Sequence, residues 1–309
     1  MRLAIVGQQA FGKAVLEAFA AKGHDVAGVF VPPAEPGTRP DPLQEAAASA
    51  GIPAHSFRSY ASDEAQGTLR GMAVEIAVMA YVTQFVPQSF CTIPTHGTIQ
   101  FHPSLLPLHR GPSSINWAII EGRTETGLSI FRPSDGLDEG PVILQKTVAI
   151  GPDDTLGTVY FDKIFPLGVA ALVEAADAVV AGTAREWRQD ESAATYEGWV
   201  RDPEARIDWA KHIDRVYDLV RGCNPAPGAW TMWQGRRLRI FEAKKRIART
   251  FGEVRGMKPG QVSAAGGASF TVHAQGGFLE VLRCRIGDGK KIAGHEAGIA
   301  AGAILGEAI

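Results

Sequence analysis

Two residues of this 309-residue chain have the types and the setting of a proton-transfer pair. His102 stands in the run Gln100-Phe101-His102-Pro103-Ser104-Leu105-Leu106-Pro107, and Asp138 in the turn Asp135-Gly136-Leu137-Asp138-Glu139-Gly140. Imidazole is the side chain best suited to general base work near neutrality, and a neighbouring carboxylate selects its tautomer and balances the imidazolium. Such a pair removes a proton from an incoming amine or water. Taken singly, each segment is also an ordinary structural signal, because histidines pack among apolar residues and Asp-Gly-Leu-Asp reads as a turn.

A base of this kind must be carried by stiff elements. Short apolar, β-branched runs at 2–6, 25–31, 74–79 and 98–101 alternate with Ala-rich stretches of helical period at 11–22, 42–50 and 62–71. That alternation predicts βαβ units and an α/β fold with an open, Rossmann-like, mostly parallel sheet. Such sheets bind ligands at the carboxyl ends of their strands, and His102 directly follows the strand at 98–101. A helix near 113–121, strands near 126–133 and 142–149, and a long helix from 155 to 182 capped by Gly182 complete a predicted first domain, 1–184. The polar stretch 185–206 has no sustained period and is predicted to be a linker. A helix near 209–221 and short alternating strands at 229–233, 236–242, 268–273 and 278–284 predict a smaller C-terminal β-barrel, 207–309.

With 45% hydrophobic residues and a net charge of −2, the chain is expected to form one large or two ordinary soluble domains. The charge is uneven, which favours two. Residues 1–200 carry 13 Lys and Arg against 22 Asp and Glu, whereas residues 201–309 carry 18 against 11. The basic excess gathers in Arg236-Arg237-Leu238-Arg239 and Lys244-Lys245-Arg246-Ile247-Ala248-Arg249, either a solvated sheet surface or a weak nucleic-acid footprint. The first strand starts without a secretory signal pattern, and no apolar run is long enough to span a bilayer, so no membrane partner is expected. Three cysteines without a Cys-x-x-Cys suggest neither a disulfide framework nor a thiolate metal site. A cytoplasmic location is expected. Gly7-Gln8-Gln9-Ala10-Phe11-Gly12-Lys13-Ala14 approaches a phosphate-binding loop but ends on Ala14, which lacks the metal-binding hydroxyl, so it reads as a tight strand-to-helix turn. His96, His102 and His109 do not share a helix face, which disfavours a metal site.

Several runs together resemble the enzymes that move a formyl group from 10-formyltetrahydrofolate. They are His102 to Gly111, Glu125-Thr126-Gly127-Leu128-Ser129-Ile130 and Gly136-Leu137-Asp138-Glu139-Gly140, extended by Ile115-Asn116-Trp117, Ala194-Thr195-Tyr196-Glu197-Gly198 and Pro227-Gly228-Ala229-Trp230-Thr231. Within that family the likeness is greatest to the hydrolase domain of 10-formyltetrahydrofolate dehydrogenases. The resemblance implies the formyltransferase fold with an OB-like second domain. It implies 10-formyltetrahydrofolate as co-substrate, with neither metal nor NAD(P), and His102 and Asp138 as the catalytic pair. Gln100 stands where many members carry an asparagine that donates to the tetrahedral oxyanion, and it keeps the amide while adding a methylene. The implied folate-binding residues are Met79, Ala80, Tyr81, Val82, Thr83, Gln84 and Phe85, then Ser134, Asp135, Gly136 and Leu137, with Ser104 and Arg110. Arg110 is placed either to face the folate tail or to brace its loop. Leu108 stands where many relatives carry arginine.

The formyl acceptor is expected to be water or an unknown amine. Methionyl-tRNA is the first rival, but residues 32–45 hold one arginine, Arg39, and three acids, Glu35, Asp41 and Glu45, which disfavours a phosphate backbone. A nucleotide-sugar N-formyltransferase and a non-catalytic folate-binding protein are the other rivals. Turnover with folate alone separates the last from every enzyme.

Overall fold

The structure, a computed structural model, describes residues 1–306 apart from Pro36 and Arg249. Arg249, the end of the basic run, therefore lies outside the described residues, as do residues 307–309. The described chain divides into two compact units, the first made of Met1–Gly111, Gly127–Val148 and Phe161–Tyr196, the second of Pro112–Thr126, Ala149–Tyr160 and the residues from Glu197 onward.

In the first unit, β1 (Arg2–Gly7), β2 (Asp25–Val31), β3 (Ala54–Ser56), β4 (Ile76–Ala80), β5 (Thr98–His102), β6 (Glu125–Phe131) and β7 (Val142–Ala149) form one sheet. Their order is β3-β2-β1-β4-β5-β6-β7. The first five strands pair in parallel, and β6 runs antiparallel to β5. Burial explains their sequences: β4 is buried along its whole length, as parallel strands covered on both faces are. Helices α1 (Gln9–Ala21), α2 (Pro42–Ser49), α3 (Asp63–Met72) and the short α4 (Gln88–Cys91) connect them. Asp41 caps α2 through Leu43 N–H and Ser62 caps α3 through Ala65 N–H, each satisfying an otherwise orphaned donor.

The helix expected over 155–182 forms over residues 156–180, but not as one regular α-helix. A single turn, α6 (Leu156–Thr158), leads into a wide π turn at Val159–Ile164, and only then does α7 (Phe165–Val180) begin. Pro166 supplies the reason, since it cannot donate back to the preceding turn and sits comfortably only at a helix start. Gly182 does end the helix, at φ 70°, with Thr183 N–H bonded back to Ala178 O. At the contact of α7 with β5, a Cβ on Gly168 would stand 2.5 Å from the Phe101 ring. Glycine there lets α7 lie directly on the strand that ends in His102.

Phe30 is fully buried on β2, ringed by His55, Phe57, Tyr60 and Phe90 at centroid distances of 5.4 to 6.3 Å. Phe30→Ala should destabilise the protein by about 3–5 kcal/mol, the usual cost of emptying a buried aromatic site. Urea unfolding checks this; a change under about 1 kcal/mol would show that the cluster collapses to fill the space.

The second unit contains α5 (Ser114–Ile120), α6, α8 (Ile213–Gly222) and the strands β8 (Ala229–Trp233), β9 (Arg236–Ile247), β10 (Val262–Gly266), β11 (Ser269–Ala274), β12 (Gly277–Ile286) and β13 (Ile292–Ala293). They make a six-stranded sheet ordered β10-β11-β12-β9-β8, with β13 on β12, and the neighbouring strands are paired antiparallel. β9 continues beyond 242 because its alternation does: Ala243 and Lys245 are half-buried, Lys244 and Arg246 exposed. The core gathers Trp209, Ile213, Tyr217, Leu238, Phe270 and Leu279. Trp209 meets its polar need by donating to Thr231 Oγ1 at 3.0 Å.

Residues 185–206 are divided between the units. Trp187 exchanges both backbone hydrogen bonds with Val142 at the start of β7, while residues from Glu197 on group with the second unit. A polar sequence without period carries no sign of such pairing, because the bonds are made by its backbone. No helix of the described residues is long and apolar enough to cross a membrane. Cys91, Cys223 and Cys284 are free and buried. Burial pushes their thiols up to about 11, 12 and 11, a state that keeps them unreactive.

Candidate active site

The chain runs outward from β1 through β2 to β3, then returns to β4 on the other side of β1, so the strand order reverses between β1 and β4. Open α/β sheets bind ligands beyond the carboxyl ends of the strands at such a reversal. Gly7, Ala80 and His102 end β1, β4 and β5. The approach there is close: a Cβ on Gly7 would collide with the Ala80 carbonyl oxygen, so the turn needs glycine.

Side chains alternate along β5, which puts Phe101 on the face of α1 and α7 and Gln100 with His102 on the other. Phe101 lies 4.5 Å, centroid to centroid, from Phe11 of α1. His102 is buried at 5% exposure. Its Nε2 lies 2.9 Å from the His109 carbonyl oxygen, which can only accept, so Nε2 carries the hydrogen. Its Nδ1 lies 3.5 Å from Asp138 Oδ2, longer than a normal hydrogen bond. The ring therefore sits between two acceptors, and an imidazolium would find a partner for each N–H. Asp138 is equally buried, and Gly111 N–H donates to the same Oδ2 at 2.9 Å. No described residue hydrogen-bonds the Gln100 amide, whose backbone is fixed by pairing with Met79 and Phe131. A donor group is thus left uncommitted two residues before the histidine.

The loop from 103 to 111 is pinned at several points. Ser104 Oγ donates to Leu108 O at 2.6 Å, and Ser129 Oγ donates to Ser104 O at 2.7 Å while accepting from Leu106 N–H. Gln145 Nε2 donates to both Leu106 O and Ser129 Oγ. Ser104 is thereby occupied in shaping the loop. Arg110, also buried, gives its guanidinium to both oxygens of Glu191, at 2.9 and 2.7 Å, and to Gln189 Oε1. Of its two predicted placements, the geometry is that of the brace. The Arg110 partner holds the Glu191 carboxyl below its usual range, and the guanidinium rises in turn.

The remaining predicted residues fall in two groups. Met79 and Ala80 are enclosed in the sheet at 3% and 0% exposure, where Met79 packs with Val6, Phe30 and Phe90. Tyr81, Thr83 and Phe85 are exposed, with Val82 and Gln84 between them half-buried. Gln8 Nε2 donates to Thr83 Oγ1 at 3.1 Å, so the turns after β1 and β4 touch. A crevice of about 10 Å³, lined by Gly7, Gln8, Tyr60 and Tyr81 to Gln84, marks the junction. Ser134, Asp135, Gly136 and Leu137 form the turn after β6, with Leu137 49% exposed. Gln88 Nε2 donates to Pro133 O at 2.8 Å, which draws this turn towards the segment after β4. A larger hollow of about 480 Å³ between α1 and α2 is lined by Lys13, Glu17, Glu45 and Ser49 and by none of the predicted residues. Left-handed backbone also gathers here, with φ of 62° at Tyr81, 55° at His109 and 57° at Asp138. Such conformations cost of order 1 kcal/mol each and persist only where the surroundings impose them.

Thr195, named in the sequence only within the run Ala194 to Gly198, also holds the loop: its Oγ1 accepts from His109 N–H at 2.8 Å, and its carbonyl accepts from Arg110 N–H at 3.1 Å. Gln189 and Glu191 are site-adjacent residues that the sequence did not single out. Nothing in a polar stretch without period distinguishes these two from solvent-facing residues.

Comparison with known proteins places this geometry in a family. The formyl transferase family model matches residues 1–176, and that of the formyl transferase C-terminal domain matches residues 200–299. Cytosolic 10-formyltetrahydrofolate dehydrogenase of Mus musculus is 38% identical over 248 residues, which are 79% of this chain but 27% of that protein. The chain thus spans about a quarter of the length of that relative. A methionyl-tRNA formyltransferase of Anaeromyxobacter dehalogenans is 34% identical over 284 residues, 90% of this chain and 89% of that one. Among solved structures, HypX from Aquifex aeolicus in complex with tetrahydrofolic acid has a TM-score of 0.66 at 18% identity, over 96% of this chain and 46% of that chain. The sugar 3N-formyl transferase WlaRD, in the presence of dTDP and 5-N-formyl-THF, has a TM-score of 0.68 at 15% identity, over 94% and 99%. These two share the fold. On the family match and the two sequence relatives, this chain belongs to the formyl transferase family of enzymes.

Proposed function

We propose that the chain uses 10-formyltetrahydrofolate and passes its formyl group to water, releasing formate and tetrahydrofolate, or to a small amine. The supporting observation is the one strand end that carries both a held histidine, His102 against Asp138, and an uncommitted amide, Gln100. An N-formyl group resembles an amide, so its transfer requires a nucleophile, a proton acceptor and stabilisation of the tetrahedral oxyanion. The nucleophile's oxygen or nitrogen bonds to the formyl carbon, and His102 takes its proton. Gln100 donates to the oxyanion. Collapse breaks the bond to N10 of the folate, and His102 returns the proton to that nitrogen. To accept a proton, the ring must exchange one of its two contacts. The His109 carbonyl is the one given up, because a neutral acceptor holds an N–H more weakly than the Asp138 carboxylate does.

The test is consumption of 10-formyltetrahydrofolate by purified protein, with tetrahydrofolate and formate measured as products, first without an amine and then with a panel of small amines. Equal release of both products without amine is expected. No consumption under either condition would overturn the reading.

The full-length likeness to a methionyl-tRNA formyltransferase supports a second reading. The basic strand β9 weighs against it, because its charges are largely matched. Arg237 and Arg239 pair with Asp202, Lys245 with Asp214 at 2.6 Å, and Arg246 with Glu253 at 2.6 Å. Cations already matched by acids release few counterions when they meet phosphate. Binding to methionyl-tRNA should therefore be non-specific, fade steeply between about 50 and 200 mM salt, and match that of uncharged tRNA. Selective formylation of methionyl-tRNA at near-physiological salt would promote the second reading to first place.

A further inference from the structure

Among residues 185–193 only Gln189 is withdrawn from solvent. Its amide makes four hydrogen bonds. Nε2 donates to the carbonyls of Asp138 at 2.7 Å and Gly140 at 2.8 Å, and Oε1 accepts from Arg110 Nε at 3.2 Å and Nη2 at 2.9 Å. Two donations and two acceptances exhaust a primary amide, and no carboxylate, ammonium or apolar side chain can reproduce them.

Those four bonds join two stretches of backbone that both touch the catalytic pair. On one side is the Asp138 turn, whose φ of 57° needs outside support. On the other is Arg110, lying between His109, whose carbonyl accepts from His102 Nε2, and Gly111, whose N–H donates to Asp138 Oδ2. Glu191 grips the rest of the Arg110 guanidinium, but Glu191 is exposed, and exposed ion pairs order a side chain only weakly. The half-buried neutral amide is the firmer hold.

We infer that Gln189 is a positioning residue: its amide, between the Asp138 carbonyl and the Arg110 guanidinium, sets the distance and orientation of Asp138 relative to His102. The inference deepens the proposed function, since it rests on the roles of His102 and Asp138 in formyl removal. The 3.5 Å gap between Nδ1 and Oδ2 makes the pair sensitive, because a few tenths of an ångström decide whether a hydrogen bond forms.

The experiment uses the full chain with Gln189→Leu, which removes all four bonds at similar volume, and Gln189→Glu, which keeps the acceptors for Arg110 and sets a carboxylate against two carbonyls. Both should lower kcat about 10–10²-fold, the scale of a misplacement near 1 Å, and leave KM for 10-formyltetrahydrofolate within about twofold. In an Asp138→Asn background the same changes should add almost nothing, as expected for residues acting as one unit. The ¹⁵N signals of the His102 imidazole, recorded without substrate, should report an altered tautomer balance in both variants. Unchanged kcat with unchanged His102 signals would overturn the inference, and so would a loss of kcat that persists undiminished beside Asp138→Asn. Where Gln189→Leu does not fold, Gln189→Glu alone decides. Where the parent protein shows no turnover, the functional reading fails and the His102 signals judge the positioning separately: altered signals support it, unchanged ones refute it.

Discussion

Replacing His102 or Asp138 by alanine should lower turnover of 10-formyltetrahydrofolate by at least about 10²-fold, within the 10²–10⁴ range for loss of general acid–base catalysis. Folate affinity should change little, because Tyr81 to Phe85, among the residues the resemblance implies to meet the folate, lie on the segment after β4. The two variants differ in a second respect. His102→Ala removes one donor from the His109 carbonyl, whereas Asp138→Ala takes the acceptor from the buried Gly111 N–H, at a cost of about 1–3 kcal/mol. Asp138→Asn keeps an acceptor oxygen and tolerates the left-handed backbone, so it isolates the loss of the anion. Steady-state kinetics with folate titration and urea unfolding on all three variants make the check. Near-normal turnover in any one removes that residue, or its charge, from the mechanism.

A loss of about 10–10³-fold in turnover is expected for Gln100→Leu, approaching the effect of removing one oxyanion-hole donor. The amide has no described protein partner to lose, and leucine is close in volume, so stability should hold to within about 1 kcal/mol. That separation makes the variant informative: a kinetic defect without an unfolding defect points to the reacting atoms. Gln100→Asn draws the donor back by one methylene, roughly 1 Å, and its turnover shows whether the longer reach is needed. A silent Gln100→Leu, judged by kcat and kcat/KM, refutes the oxyanion role.

The local periods of the chain announced β1, β2, β4 and β5 and the helices α1, α2 and α3, because continuous apolar runs and Ala-rich helical stretches are properties of consecutive residues. β3 escaped notice. It is three residues long, with its first and last exposed, so no pattern could form. The π turn at Val159–Ile164 was hidden inside an apolar helical period, though Pro166 was a legible sign of it. In the second unit the turn glycines marked β8, β11 and β12, while β10 gave little alternation to read.

His102 and Asp138 were visible as candidates for a pair from residue types, turn chemistry and likeness, and Gln100 from likeness alone, as the residue where many members carry an asparagine. All of these depend on residues near one another in sequence or on a motif that travels as a unit. The partners that hold them do not. Arg110 and Gln189 are 79 residues apart, and Asp138 and Gln189 are 51 apart. An amide that donates twice and accepts twice looks, in sequence, like any polar residue between two helices. Sequence alone determined most of the elements that form and offered side chains suited to the chemistry, because those follow from local period and functional group. Only the tertiary structure decided that Arg110 braces rather than reaches outward and that residues 185–196 grip the 103–111 loop. Hydrogen bonds between distant segments are selected by how the whole sheet closes, and that closure leaves no mark on the neighbours of either residue.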